Sequence, residues 1–288
     1  MSEKTASVTV RRQIVRKDHT KGKMIFFGVL VLLLLLMTIF AEYICPYDPN
    51  QQNLDQALQS PGFAHPFGTD RYGRDMLSRV IIGSQTSIFS ALVLVAIITV
   101  VGTVIGMICG YAGGVIDSVV MRISDICLAF PGLVFALAIA AILNGGVQNA
   151  VIALAAISWP KYSRIARSQT LSVKNTEYIA AARLAGSGSF GIVVRHVLPN
   201  IVGSILVTAM LDIGTMMMEI AGLSFLGLGA QPPTAEWGSM MSGGRSMLQT
   251  YPWVVLTPGL AIFISVVLFN LLGDTIRDYM DPRNSRRG

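Results

Sequence analysis

The chain has 288 residues, of which 52% are hydrophobic and only 13% charged, and its mean hydropathy is +0.60. A water-soluble domain of this length needs more charge to cover its surface, so the composition excludes one and places the chain in a membrane. The net charge of +6 would suit nucleic acid as a partner, but the apolar content argues against it, and the location of each cation decides its use.

A membrane span needs about 20 mostly apolar residues. The basic segment 1–23, with Arg11, Arg12, Arg16, Lys17, Lys21 and Lys23, precedes a first span at 24–44 whose apolar run is Met24–Ala41. No small-residue cleavage site follows, so this run reads as a retained helix rather than a secretory signal. A connection at 45–87 leads to a second span, Ile88–Gly110, in which Gly102, Gly106 and Gly110 recur every four residues. Such a seam of small residues lets a neighbouring helix backbone approach closely.

Ile126–Leu143 is the third expected span, with Pro131 near its start. Val147–Trp159 is too short to cross alone, but it can continue through Pro160 toward Ile165 as a kinked helix. Ile201–Leu223 and Val254–Leu272 complete an expected six, giving an all-α membrane protein with a core at 88–273 and a tail at 274–288. With the N-terminus inside, segments 1–23, 111–125, 160–200 and 273–288 hold 18 of the 22 lysines and arginines, as the positive-inside rule requires. Both termini are then expected in the cytoplasm. The connections 45–87 and 160–200 are too short for independent cores.

Reactive chemistry is sparse. No stretch matches G-x-x-x-x-G-K-[ST], so no loop cradles nucleotide phosphates in the P-loop manner. No zinc motif or nucleophile elbow occurs, the histidines His19, His65 and His196 are far apart, and Cys45, Cys109 and Cys127 lack metal-ligand spacing. An ion-coupled carrier is the alternative transport class, since such carriers place ionisable residues along their path, and only Asp212 and Glu219 lie well inside an expected span.

The 160–200 loop reads Glu177-Tyr-Ile-Ala-Ala-Ala-Arg-Leu-Ala-Gly186, then nine residues, then His196-Val-Leu198-Pro199. Strong helix formers followed by Gly186 predict a short capped helix, a turn, and a second short helix that stops at Leu198-Pro199. Ala180, Ala181 and Ala182 remove bulk, so the helix suits either a groove in another protein or the inner membrane surface.

This loop resembles the E-A-A-x3-G-x9-I-x-L-P loop of ABC importer permeases. Ala181, Ala182, Gly186, Leu198 and Pro199 match, Ala180 replaces the glutamate, His196 takes the isoleucine position, and Glu177 can supply the acid. The resemblance implies a type I ABC importer fold and a coupling helix docked on a separate ATP-binding subunit. It also implies that this chain holds no cofactor, with ATP and Mg bound by two such partners.

Pro66-Phe-Gly-Thr-Asp-Arg-Tyr-Gly-Arg-Asp75 with Ser78-Arg79 is similar to the signature of the dipeptide, oligopeptide and nickel permeases. So are Ser224-Phe-Leu-Gly-Leu-Gly229, Glu236-Trp-Gly238, Asn270-Leu-Leu-Gly-Asp274 and Asp281-Pro282. The single span ahead of the core resembles the C-type subunit, which implies a B-type permease partner, an extracytoplasmic substrate-binding protein and the inner membrane of a prokaryote. On a helix, Asp70 with Arg74 and Asp75 with Arg79 would form exposed i, i+4 ion pairs. Trp237 suits an outer gate, a dock for the binding protein, or an interfacial anchor.

Asp212, Met216 and Glu219 share one face of the fifth span. A charge at mid-bilayer costs about 2.5–3.5 kcal/mol, so this stripe is expected to face protein or a water-filled path. It either lines the pathway for a cationic cargo or packs against a partner helix. Leu211-Asp-Ile-Gly-Thr-Met-Met-Met-Glu219 with Ala221-Gly222 and Pro233-Thr-Ala-Glu-Trp237 resembles the nickel branch more than the plain dipeptide branch. Peptide and nickel remain nearly level as cargoes.

Overall fold

The computed structural model describes residues 2–280, with side chains from Lys21 onward. The basic side chains before Lys21 and the Asp281-Pro282 motif with its arginine-rich tail lie outside the described residues. The described chain is helical, and its sole β feature among the described residues is an isolated bridge between Thr69 and Asp75.

Helix α1 (Ser2–Ile39) is followed by one turn, α2 (Ala41–Ile44), and a long irregular connection. Its apolar part lies along the last helix of the fold with most side chains outward; Phe26, Leu32 and Leu33 are each more than half exposed. That pattern suits a helix whose outer face meets lipid, where nothing drives apolar side chains inward.

Helix α3 (Met76–Ala112) begins at Met76 rather than at Ile88, because Asp75 caps it by accepting a hydrogen bond from the Ser78 amide at 2.7 Å. At 37 residues it is about 55 Å long. Gly113 ends it, and α4 (Gly114–Ala129) turns back.

The third expected span is not one helix. It breaks at Phe130-Pro131 into the end of α4 and α5 (Gly132–Ile142), which meet at 95°. Proline lacks an amide hydrogen and disfavours helical geometry in the residue before it, which is where the helix ends. Helix α6 (Val147–Lys174) does run through Pro160, as expected, and then continues to Lys174. Its second half carries Lys161, Arg164, Arg167 and Lys174, so it falls short of the apolar character of a span. By length and hydropathy four described helices qualify, or five if the bent pair α4–α5 is one span, and the count of six is not reached.

Helices α7 (Glu177–Leu184) and α8 (Ser189–Ile192) form the loop hairpin, and a π-helical turn (Val193–Val197) leads directly into α9 (Leu198–Phe225). The stop expected at Leu198-Pro199 does not occur. Pro199 sits at the start of α9, and the missing amide is absorbed by widening the preceding turn, where the Leu198 amide donates to the Val193 carbonyl. After an irregular exit come α10 (Trp237–Gly244) and α11 (Trp253–Met280).

The core is made by α3, α6, α9 and α11, and its closest contact is the α3–α6 seam. A Cβ on Gly102 would stand 2.6 Å from the Trp159 carbonyl oxygen and 2.6 Å from the Tyr162 Cβ. One on Gly110 would stand 2.8 Å from the Thr170 Cβ, and one on Gly106 would collide with the Ser163 carbonyl and Ala166. The seam read from the glycine spacing is therefore the line along which α6 is laid on α3. A second such crossing joins α9 to α11, where Gly214 abuts Asn270 and Gly273 abuts Leu211. The three cysteines are free.

Gly106→Leu is expected to force α3 off α6. Overpacking a close contact costs about 1–3 kcal/mol or more, so the detergent-purified variant should melt several degrees below wild type in a thermal-unfolding assay. An unchanged melting temperature would show that the seam does not hold the pair together.

Candidate functional site

Three clusters of polar residues sit on this scaffold. The first lies inside the bundle. Placing Tyr162 against Gly102 turns its ring toward α9, where its hydroxyl donates to Asp212 Oδ2 at 2.9 Å. Lys161, one residue earlier, places its Nζ at 2.6 and 2.8 Å from the two oxygens of the same carboxylate. Asp212 and Met216 are buried and Glu219 is half-buried, so the stripe read from the sequence does face protein. Asp212 carries a resident cation as its partner. Lys161 is half exposed, which lets its ammonium reach water while its stem packs.

Lys161 and Tyr162 were not foreseen as partners of Asp212. Their signal was present: a lysine beside Trp159-Pro160 in an apolar run needs an acid within reach, and Asp212 was the buried acid available. One turn farther along α6, Arg164 binds Asp125 at 2.5 Å and Ser124, and Arg167 makes a bidentate pair with Asp117. These pairs pin the amphipathic helix α4 to α6.

The second cluster is the loop hairpin. Glu177, Ala180 and Ala181 are exposed on α7, Ala182 is partly covered, and Ile179 is buried beneath them. Gly186 has φ +85°, the left-handed region that favours glycine, and it allows the chain to reverse after α7. The Tyr178 hydroxyl donates to the His196 carbonyl at 2.8 Å and ties α7 to the π turn. Leu198 is partly covered and Pro199 exposed. At the tip of the hairpin, Leu184 and Phe190 are 91% and 82% exposed, large apolar side chains left uncovered by this chain.

The third cluster lies at the opposite end of the bundle. Asp70–Arg74 is an ion pair, at 2.6 Å, but it sits in a tight turn rather than on a helix and is buried. Gly73 has φ +71° there and packs on the Asn53 carbonyl, so no side chain fits. Asp75 does not pair with Arg79. It accepts from the Ser78 amide and hydroxyl and lies 2.9 Å from His65 Nδ1. Arg79 instead donates to the Pro49 carbonyl at 2.9 Å and stands 3.9 Å from Asp70. The expected exposed pairs are thus a buried network, because the connection folds over the start of α3.

Trp237 is buried within the chain, so its ring is not an exposed anchor. Its indole donates to the Val80 carbonyl at 2.8 Å, and its ring lies on Gly83. Glu236 caps α10 by accepting from the Gly238 and Ser239 amides at 2.9 and 2.8 Å, and Ser87 donates to it at 3.3 Å. Burial pushes the Glu236 carboxyl above its ordinary range, and those donors pull the other way.

Lys161→Met should leave the Asp212 carboxylate buried with Tyr162 alone. Unfolding of the detergent-solubilised chain should show a loss of about 1–3 kcal/mol, largely recovered when Asp212→Asn is added. A double variant as unstable as the simple sum would exclude direct coupling.

Residues 102–286 match the family of binding-protein-dependent transport system inner membrane components, and residues 21–61 match the N-terminal transmembrane domain of oligopeptide transport permease C. A probable D,D-dipeptide transport system permease protein, DdpC of Escherichia coli K12, is 44% identical over 98% of this chain and 97% of its own length. The glutathione transport system permease protein GsiD of Escherichia coli O157:H7 is 44% identical over 89% of this chain and 85% of its own. Among solved structures, a chain of the MetNI methionine ABC transporter has the same fold, with a TM-score of 0.57 at 20% identity, covering 71% of this chain and 98% of that one. The chain belongs to the binding-protein-dependent permease family, as a C-type membrane subunit of an ABC importer.

Proposed function

We propose that this subunit imports short peptides, that two ATP-binding subunits power it through residues 177–199, and that a B-type permease and an extracytoplasmic substrate-binding protein complete the importer. In this reading both termini lie in the cytoplasm of a prokaryote, which requires an even number of spans, as with the four described helices that qualify singly. The observation that carries the coupling reading is the hairpin tip, where Leu184 and Phe190 stand uncovered beside the small, exposed face of Ala180 and Ala181. Exposed apolar side chains rimmed by polar residues mark an interaction surface. Glu177, Gly186, Leu198 and Pro199 set the angle at which that tip is presented.

Peptide is favoured over nickel as cargo on two grounds. The relatives described above are named for a D,D-dipeptide and for glutathione, both carrying peptide-like backbones. Asp212, which a cationic cargo would need, is already neutralised by Lys161. A pathway-lining role narrows to Glu219, the least covered member of the stripe, since Asp212 and Met216 are buried. An ion-coupled carrier would leave the exposed tip without a purpose.

Leu184→Glu with Phe190→Glu should strip the ATP-binding subunits from the complex, with co-purification falling at least about tenfold while the permease itself remains in the membrane. Retention of both ATPases would sink the docking reading. In proteoliposomes, Gly186→Leu should lose most ATP-driven dipeptide uptake, since a left-handed backbone costs a side chain about 1–2 kcal/mol and the hairpin must re-aim. Uptake that persists without any ATPase would favour the carrier class.

A further inference from the structure

The irregular exit of α9, the start of α10 and the turn at 70–79 enclose a cavity of 450 Å³ on the side that the importer reading places outside. That is within the range of sites for small ligands, about 300–1,000 Å³. Its lining contains Arg71, Arg74, Arg79 and Arg245 against the single carboxylate of Asp70. The four guanidinium groups and one carboxylate leave the lining three positive charges in excess.

The excess is partly buried. Arg74 and Arg79 are 9% and 4% exposed, and both rely on Asp70, at 2.6 and 3.9 Å. The neighbouring Asp75 is spent on Ser78 and His65. One carboxylate therefore serves two buried cations, and a buried charge without full compensation is costly. Arg71 and Arg245 stand exposed at the rim, with no carboxylate partner among the described residues. Arg71 and Arg74 lie over the Tyr72 ring at 4.7 and 4.8 Å from its centroid, which holds their guanidinium groups in place. The Gln231 side chain is drawn to the Gly227 carbonyl at 3.0 Å and does not offset the charge.

From this arrangement we infer that the cavity is a carboxylate-binding site, in which Arg79 and the rim arginines Arg71 and Arg245 receive an anionic group entering from outside. Arginine forks match a carboxylate through paired hydrogen bonds, and a partly enclosed cavity strengthens the attraction over that in open water. The carboxylate has two sources, the C-terminus of a peptide cargo or an acidic side chain of the substrate-binding protein. The inference rests on the importer reading, because only an importer presents cargo and binding protein to this side.

The test is chemical protection in the assembled importer held in nanodiscs, with no ATP and no transport required, so its result is separate from that of uptake. An arginine-selective dicarbonyl reagent is applied, and modification of Arg71 and Arg245 is followed by mass spectrometry, with the exposed Arg122 as internal reference. Protection by Ala-Ala of at least about threefold at the rim arginines, with none by Ala-Ala amide, assigns the site to the cargo. Protection by the cargo-loaded binding protein but not by free Ala-Ala assigns it to that protein's carboxylates, and Arg71→Gln should then weaken docking in a salt-dependent way. Rim arginines modified at the same rate with either probe as without would overturn the inference. So would equal protection by Ala-Ala and its amide, which would show occupancy without recognition of charge.

Discussion

Everything in the interior of this subunit depends on the contact between α3 and α6 through Gly102, Gly106 and Gly110. In a bilayer the lipid tails are as apolar as any side chain, so no hydrophobic force drives two helices together, and close packing must do it. Removing three side chains from one face lets the α6 backbone approach to within van der Waals contact. That contact fixes the rotation of α6 and thereby aims consecutive residues at different neighbours. Tyr162 and Lys161 reach Asp212 on α9, while Arg164 and Arg167 reach Asp125 and Asp117 on α4. A single packing line thus positions the charges of two interfaces.

Much of this was legible in the sequence, and the residues show why. Four-residue spacing of glycines is a direct statement about a helix face, and the structure realises it. The continuation of α6 through Pro160 and the short helix at Glu177–Leu184 were equally readable, because each rests on local chemistry. What could not be read were the choices settled by tertiary contact. Pro160 lies within a helix while Pro131 ends one and Pro199 begins another, and proline alone does not say which. Nor does i, i+4 spacing reveal that Asp70–Arg74 sits in a turn, since Gly73 and the bridge at Thr69–Asp75 are what bend the chain there. The partners of Asp212 come from a helix 50 residues away in sequence, beyond the reach of any periodicity.

The two ends of the fold treat charge differently. At the hairpin end, each of the arginines on α6 meets an aspartate on α4, and the apolar tip carries the exposed surface. At the opposite end, aspartates are consumed in building the turn that caps α3, and arginines are left over. This division follows from folding requirements: an N-terminal cap needs an acceptor, so the acids near Met76 are drawn into backbone contacts. The cations beside them are left to share Asp70. An arginine-rich cavity is the by-product of capping a long helix at its N-terminal end.

The π turn at Val193–Val197 has a mechanical consequence. Because it does not interrupt the helix, residues Ser189–Phe225 run as one continuous helix of 37 residues, about 55 Å long. A rod pivoting at one end by about 5° displaces the other by about 5 Å. Its far end carries Ala221, against which Gly238 of α10 is packed without room for a methyl group. A tilt of this one helix, if the proposed docking at the hairpin imposes it, would therefore bear directly on the segment that packs over α3.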